Sequence, residues 1–146
     1  MVDIMSKLHV FIGAVLLVLV LVGTASAESF TTLPSGLEYK DLKVGSGSEA
    51  QLGDIALIHF VGWLDKKGQR GQEIYNSRIE QEPVSFVIGT DKVMQGWNEG
   101  VIGMKVGGTR LLRIPPKLGY GSKAVEDVVP ANTYLQFIIE LLELTK

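Results

Sequence analysis

Gln95-Gly96-Trp97-Asn98-Glu99-Gly100-Val101-Ile102-Gly103-Met104-Lys105-Val106-Gly107-Gly108 sets one tryptophan in a short helical turn between glycines, and an indole so placed can floor an apolar pocket. Apolar residues recur at Trp97, Val101, Ile102 and Met104, a spacing that suits about two helical turns with one buried face. This predicts a helix over Trp97 to Met104. Val106-Gly107-Gly108-Thr109 predicts its stop, because glycine supplies the left-handed backbone that a C-cap needs. Taken alone, the segment reads as a core tryptophan under a small sheet. Its neighbours change that reading.

Working outward, Ile55 to Leu64 is rich in β-branched and aromatic residues, with Ile55, Leu57, His59, Val61 and Trp63 on one face and Ala56, Ile58 and Phe60 on the other. So little of it is polar that both faces are expected to be covered. Leu37 to Val44, Thr109 to Ile114 and Leu135 to Leu144 are further strands, the second stopped by Pro115-Pro116, which cannot continue a ladder. Glu73 to Arg78 and Val84 to Ile88 read as short or edge strands around the polar run Ile79 to Pro83. Asp65 to Gln72 reads as a charged, glycine-containing loop. Helical periodicity is scarce elsewhere, so the fold class is α+β: a curved antiparallel sheet with one short helix on one face.

The first 27 residues stand apart. Lys7 gives a basic start, Val10 to Val22 is a nearly unbroken run of 13 apolar residues, and Ala25-Ser26-Ala27 offers the small residues of a cleavage site. This predicts a secretory signal cut after Ala27, and an exported protein, periplasmic or secreted. The alternative is an uncleaved membrane anchor, but the run falls short of the ~20 residues that span a bilayer. Residues 28–35 are short and polar and read as a flexible lead-in. Residues 36–146 then form one domain, of a size that needs no staples, and the chain has no cysteine. The net charge is −2, with no basic stripe or charge block to suggest nucleic acid or anionic lipid. A monomer is expected.

The residue inventory narrows the chemistry. Beyond the leader the only histidine is His59, so zinc sites of the His/Cys type are excluded. A Ser/His/Asp arrangement would have to use His59, whose place inside an apolar strand suits a satisfied core histidine better. Gly45-x-Gly47-x-x-Ala50 matches a dinucleotide fingerprint on paper, yet Gln51-Leu52-Gly53-Asp54 breaks it where a helix should begin. What remains is a pocket of aromatic and branched apolar side chains, with no metal and no cofactor.

Five segments carry a family likeness in order and spacing. They are Ser35-Gly36-Leu37-Glu38-Tyr39, Ile58-His59-Phe60-Val61-Gly62-Trp63-Leu64, the Trp97 turn, Ile114-Pro115-Pro116-Lys117-Leu118-Gly119-Tyr120-Gly121, and Val128-Val129-Pro130-Ala131-Asn132-Thr133 with the strand after it. From about Gly36 to Leu144 the chain resembles the FKBP family of peptidyl-prolyl isomerases, the macrolide-binding immunophilins. The resemblance implies a curved sheet wrapped around the helix and an enzyme that rotates X–Pro bonds without a covalent intermediate. Its partners would be proline-containing or unfolded polypeptides. It also implies a catalytic set of Trp97 as floor with Phe60, Phe137 and the Tyr120 hydroxyl. Phe86, Val93 and Met94 would be walls, and Val128 and Val129 would sit on a loop closing over the peptide. An apolar cavity fits that task. The planar amide is more charge-separated than the twisted one, so a dry site disfavours the ground state more than the midpoint of rotation.

The chain also departs from the family. Phe60 stands where a tyrosine is usual, Val84 where a pocket phenylalanine is common, and Val125 where a loop histidine often stands. Ile74-Tyr75-Asn76-Ser77 replaces Phe-Asp-Ser-Ser. A gapless count back from Trp97 puts Tyr75 on the rim aspartate, while a one-residue shift puts Asn76 there. Both remain open, and both are candidate substrate-binding residues. Loss of the rim carboxylate implies macrolide binding at reduced affinity. It also keeps a rival reading, a chaperone-like or partner-docking module with little catalysis.

Overall fold

The computed structural model describes residues 29–146. The leader, with its apolar run and cleavage point, lies outside those residues. In chain order the elements are β1 (Thr31–Thr32), β2 (Glu38–Lys43), β3 (Ile55–Lys66), β4 (Gln69–Asn76), β5 (Val84–Val87), α1 (Gln95–Val101), β6 (Thr109–Ile114), a 3-10 turn (Pro116–Leu118) and β7 (Leu135–Thr145). Every pairing is antiparallel and the sheet order is β1-β2-β6-β7-β3-β4. β3 is long enough to hold β4 along its second half and β5 along its first. Bulges at Asp41/Lys43, Leu57/Ile58 and Gly62/Trp63 add local twist and bend the sheet around the helix. The expected α+β fold is therefore present.

The concave face is the core. Ala56 and Ile58 of β3, Leu112 and Ile114 of β6, and Leu135, Phe137, Ile139 and Leu141 of β7 are all fully buried against α1 and its flanking loops. Among the described residues no second layer covers the convex face. Leu57, His59, Val61 and Trp63 are half-buried there, so the expectation that both faces of β3 are covered is corrected. Long side chains do part of the covering, as where the Arg70 guanidinium lies 4.5 Å from the Trp63 ring.

Helix α1 sits close on β6 because its two glycines face that strand. A Cβ on Gly96 would lie 2.6 Å from Ile114 Cγ2, and one on Gly100 2.4 Å from Leu112 Cδ1. The helix begins two residues before Trp97 and ends at Val101, earlier than its apolar spacing suggests. Gly103, at φ 86°, takes the left-handed turn four residues ahead of the expected stop at Gly107. Arg110 then fills the role of a C-terminal cation. Its guanidinium donates to the carbonyls of Gly100 and Ile102, both at 3.0 Å, and to Asp41 at 2.7 Å.

Two segments, read from the sequence as a flexible lead-in and a charged loop, carry regular pairing. Thr31 and Thr32, within the lead-in, pair with Tyr39 and Glu38. The Asp65 to Gln72 segment is a tight hairpin turning at Lys67-Gly68, where both residues take positive φ of 52° and 88°. Its one acidic residue is engaged inward, while Lys66, Lys67 and Arg70 stay exposed. Asp65 accepts from Gly68 N at 3.0 Å, from Gln136 Nε2 at 2.6 Å and from both ends of the Arg113 guanidinium at 3.1 Å. Burial would raise the Asp65 pKa, but these donors outweigh it and hold the carboxyl below the usual carboxylate range.

Candidate active site

A cavity of about 500 Å³ opens between α1, β3, β4 and the loops after β5 and β6. Its floor is aromatic. Trp97 meets Phe60 edge-on at 4.7 Å between ring centroids and Phe137 at 5.3 Å, with interplanar angles of 64° and 88°. These are the T-shaped arrangements that aromatic quadrupoles favour. Each ring is held by a different element: α1 supplies Trp97, β3 Phe60 and β7 Phe137. The Phe137 ring packs against Gly62 of β3, where a Cβ would come within 2.5 Å of Phe137 Cε1. The one polar atom of this floor, Trp97 Nε1, is buried without a hydrogen-bond partner.

The rim is polar. Tyr75 on β4 pairs with Gly62, and Asn76 with Val61, so alternation sends Tyr75 toward the cavity and Asn76 to the convex face. Asn76 donates to Glu73 Oε1 at 3.2 Å and accepts from Arg78 N at 3.1 Å. Of the two residues that the sequence left open, Tyr75 is the one that faces the cavity. Across the opening, the Tyr120 hydroxyl donates to the Tyr75 hydroxyl at 3.3 Å. Burial, with this hydrogen bond adding to it, pushes the Tyr120 pKa well above the ordinary phenol value, so the hydroxyl keeps its proton.

Of the residues singled out in the sequence, Phe60, Tyr75, Val93, Met94, Trp97, Tyr120 and Phe137 line this one cavity. Four others do not. Asn76 faces away. Phe86 is buried beneath the floor, its ring 5.9 Å from that of Trp97, and supports it from below. Val129 is fully buried and Val128 packs half-buried against the core, both in the tight loop where Val125 and Val129 bridge. Three lining residues were not anticipated: Asp91 and Lys92 on the loop before α1, and Gly119 before Tyr120. Nothing in the run Gly89-Thr90-Asp91-Lys92 distinguishes it from an ordinary polar turn, and only the position of the loop brings it to the cavity.

His59 lies outside the cavity. Its Nδ1 is 2.9 Å from Ser77 Oγ, but that hydroxyl is occupied by the backbone of Phe60, accepting from its N–H at 2.8 Å and donating to its C=O at 3.2 Å. The pair locks the end of β4 onto β3 and presents no free nucleophile. Among the described residues no group of three or more His, Cys, Asp or Glu side chains could hold a metal ion.

Comparison with known proteins agrees with this geometry. The family model for FKBP-type peptidyl-prolyl cis-trans isomerase matches residues 46–142. An FK506-binding protein of Neisseria meningitidis is 38% identical over 108 residues, covering 74% of this chain and 95% of the relative. The peptidyl-prolyl cis-trans isomerase FKBP53 of Arabidopsis thaliana is 37% identical over 120 residues, 81% of this chain but only 24% of that protein. Among solved structures, AtFKBP13 superposes with a TM-score of 0.72 at 34% identity, covering 80% of this chain and 99% of that one.

Proposed function

Because the chain belongs to the FKBP-type peptidyl-prolyl cis-trans isomerases, we propose that its cavity accelerates rotation about X–Pro bonds in polypeptides and does so without a titrating group. The observation that carries this reading is the floor: three aromatic rings, Trp97, Phe60 and Phe137, come together from three elements at the bottom of the cavity and give it an apolar base. A prolyl amide entering it loses water. The planar, charge-separated ground state is then disfavoured relative to the twisted midpoint, and each ~1.36 kcal/mol of difference is tenfold in rate. Trp97 and Phe137 hold the proline ring, Phe60 closes the side, and the Tyr120 hydroxyl donates to a carbonyl of the peptide. Val93 and Met94 form the wall.

The natural setting we propose is folding of exported proteins. It is supported by the composition of residues 1–27, a basic start, a short apolar run and Ala25-Ser26-Ala27. The mature chain then starts at Glu28 and acts as a monomer in the periplasm or outside the cell. N-terminal sequencing of the exported protein that found Met1 intact would overturn this part alone.

One observation favours a second reading, a docking module with little catalysis: the Tyr120 hydroxyl is directed at Tyr75 rather than left free for substrate. A proline-peptide isomerisation assay on residues 28–146 separates the two. Acceleration at catalytic concentrations supports the enzyme. Binding of prolyl peptides without acceleration supports the module.

A further inference from the structure

The wall of the cavity is a loop, and it is not held by regular secondary structure. Residues 88–94 connect β5 to α1 and carry Asp91, Lys92, Val93 and Met94 to the opening. Asn98, the residue after the floor tryptophan, points into this loop. It is a polar side chain only 2% exposed, and a buried amide is costly unless both of its ends are engaged. Here both are. The Asn98 Oδ1 accepts from Gly89 N at 2.8 Å, and its Nδ2 donates to Thr90 O at 2.6 Å and to Gln95 Oε1 at 3.3 Å.

We infer that Asn98 is a positioning residue for the reaction, a clamp that fixes the distance between floor and wall of the cavity. The inference rests on the proposed isomerase reading and adds a specificity element to it. The chemistry requires an amide. The two backbone groups it bridges, an N–H and a C=O on consecutive residues, present opposite polarity, so the clamp needs an acceptor and a donor on one short planar group. Asn98 shares its helical turn with Trp97, so the loop is tied directly to the residue under the proline ring. The wall touches a bound peptide on either side of the rotation alike. Releasing it should therefore weaken ground state and transition state together and appear in KM rather than kcat.

Two variants and one measurement on the unmodified chain test this. Asn98→Asp keeps the acceptor for Gly89 N–H and loses the donor to Thr90 O, while Asn98→Leu loses both at similar volume. The expected result is a KM raised about tenfold in Asn98→Asp and further in Asn98→Leu, with kcat changed less than twofold. Gly89 amide exchange should stay slow in Asn98→Asp and become fast in Asn98→Leu. Unchanged KM in folded variants, or a fall in kcat alone, overturns the inference. If the variants do not fold, the unmodified chain decides: a Gly89 amide that exchanges as slowly as that of Trp97 supports the clamp, and one as fast as that of exposed Asp91 overturns it. If the unmodified chain fails to accelerate isomerisation, the proposed activity falls. The same series is then read as peptide affinity by intrinsic tryptophan fluorescence, where a tenfold weakening supports the clamp and no change overturns it.

Discussion

The floor and the rim of the cavity are built on different principles. The floor is continuous with the core: Phe137 is fully buried and Trp97 only 7% exposed, and the rings that would grip a proline also hold α1 to the sheet. The rim is a set of polar groups, Tyr75, Tyr120, Asp91 and Lys92, from two loops and an edge strand, joined by one hydroxyl pair. Damage to the floor should therefore appear first as lost stability, and damage to the rim as changed ligand preference in a folded protein.

The largest effect is expected at Phe137. Phe137→Ala empties a fully buried site and should cost roughly 3 to 5 kcal/mol of stability, with catalytic efficiency falling as well. Chemical denaturation together with the isomerisation assay checks both. A variant that keeps its stability and loses only activity would break the claim that floor and core are one. Overpacking from the opposite side is the next step down. Gly62→Ala sets a methyl 2.5 Å from the Phe137 ring, which should cost about 1 to 3 kcal/mol and push the ring into the cavity, raising KM.

The same division explains what could be read from the sequence. Trp97 and Phe60 were legible as apolar positions of a helix and a strand, and together with Phe137 they were legible as pocket residues through the family resemblance. The rim was not, because its partners are set by events that leave no local pattern. The bulge at Gly62/Trp63 fixes which of Tyr75 and Asn76 turns inward. Asn98 bonds to Gly89 and Thr90 of the loop that carries Asp91 and Lys92, and no local pattern marks it for that. The Asp65 hairpin looked like a loop because its carboxylate finds Arg113 and Gln136 on strands distant in sequence. Long-range pairing of charged residues is invisible to periodicity.

At the rim, Tyr120→Phe removes one hydroxyl and little volume. A substrate carbonyl left without its donor in a dry site costs about 1 to 3 kcal/mol, so kcat/KM should fall roughly ten- to hundredfold while thermal stability barely moves. The pH profile sharpens the point. Burial and Tyr75 raise the Tyr120 pKa, so the hydroxyl remains a donor beyond the usual phenol value of ~10. Efficiency in the parent chain should be flat through neutral pH, hold past that value, and be unaffected by EDTA. A bell-shaped profile centred near neutrality would refute a mechanism without a titrating group.

The smallest effect, and the most selective, concerns Tyr75. Floor residues serve a prolyl peptide and a family macrolide alike, whereas a rim carboxylate mainly serves the macrolide by accepting a hydrogen bond. Here the acceptor is the neutral Tyr75 hydroxyl, facing Tyr120. A hydrogen bond to a charged group contributes roughly 1.5 to 3 kcal/mol against ~1 for a neutral one, so Tyr75→Asp should tighten macrolide binding about tenfold and leave peptide turnover within a factor of a few. Asn76→Asp is the control. Its side chain faces Glu73 and Arg78 on the convex side, so a carboxylate there should not change affinity for the macrolide. If Asn76→Asp tightens binding and Tyr75→Asp does not, β4 is out by one residue from the register that places Tyr75 at the opening. If neither does, the rim acceptor is not what limits the macrolide, and the wall loop that Asn98 holds becomes the next place to look.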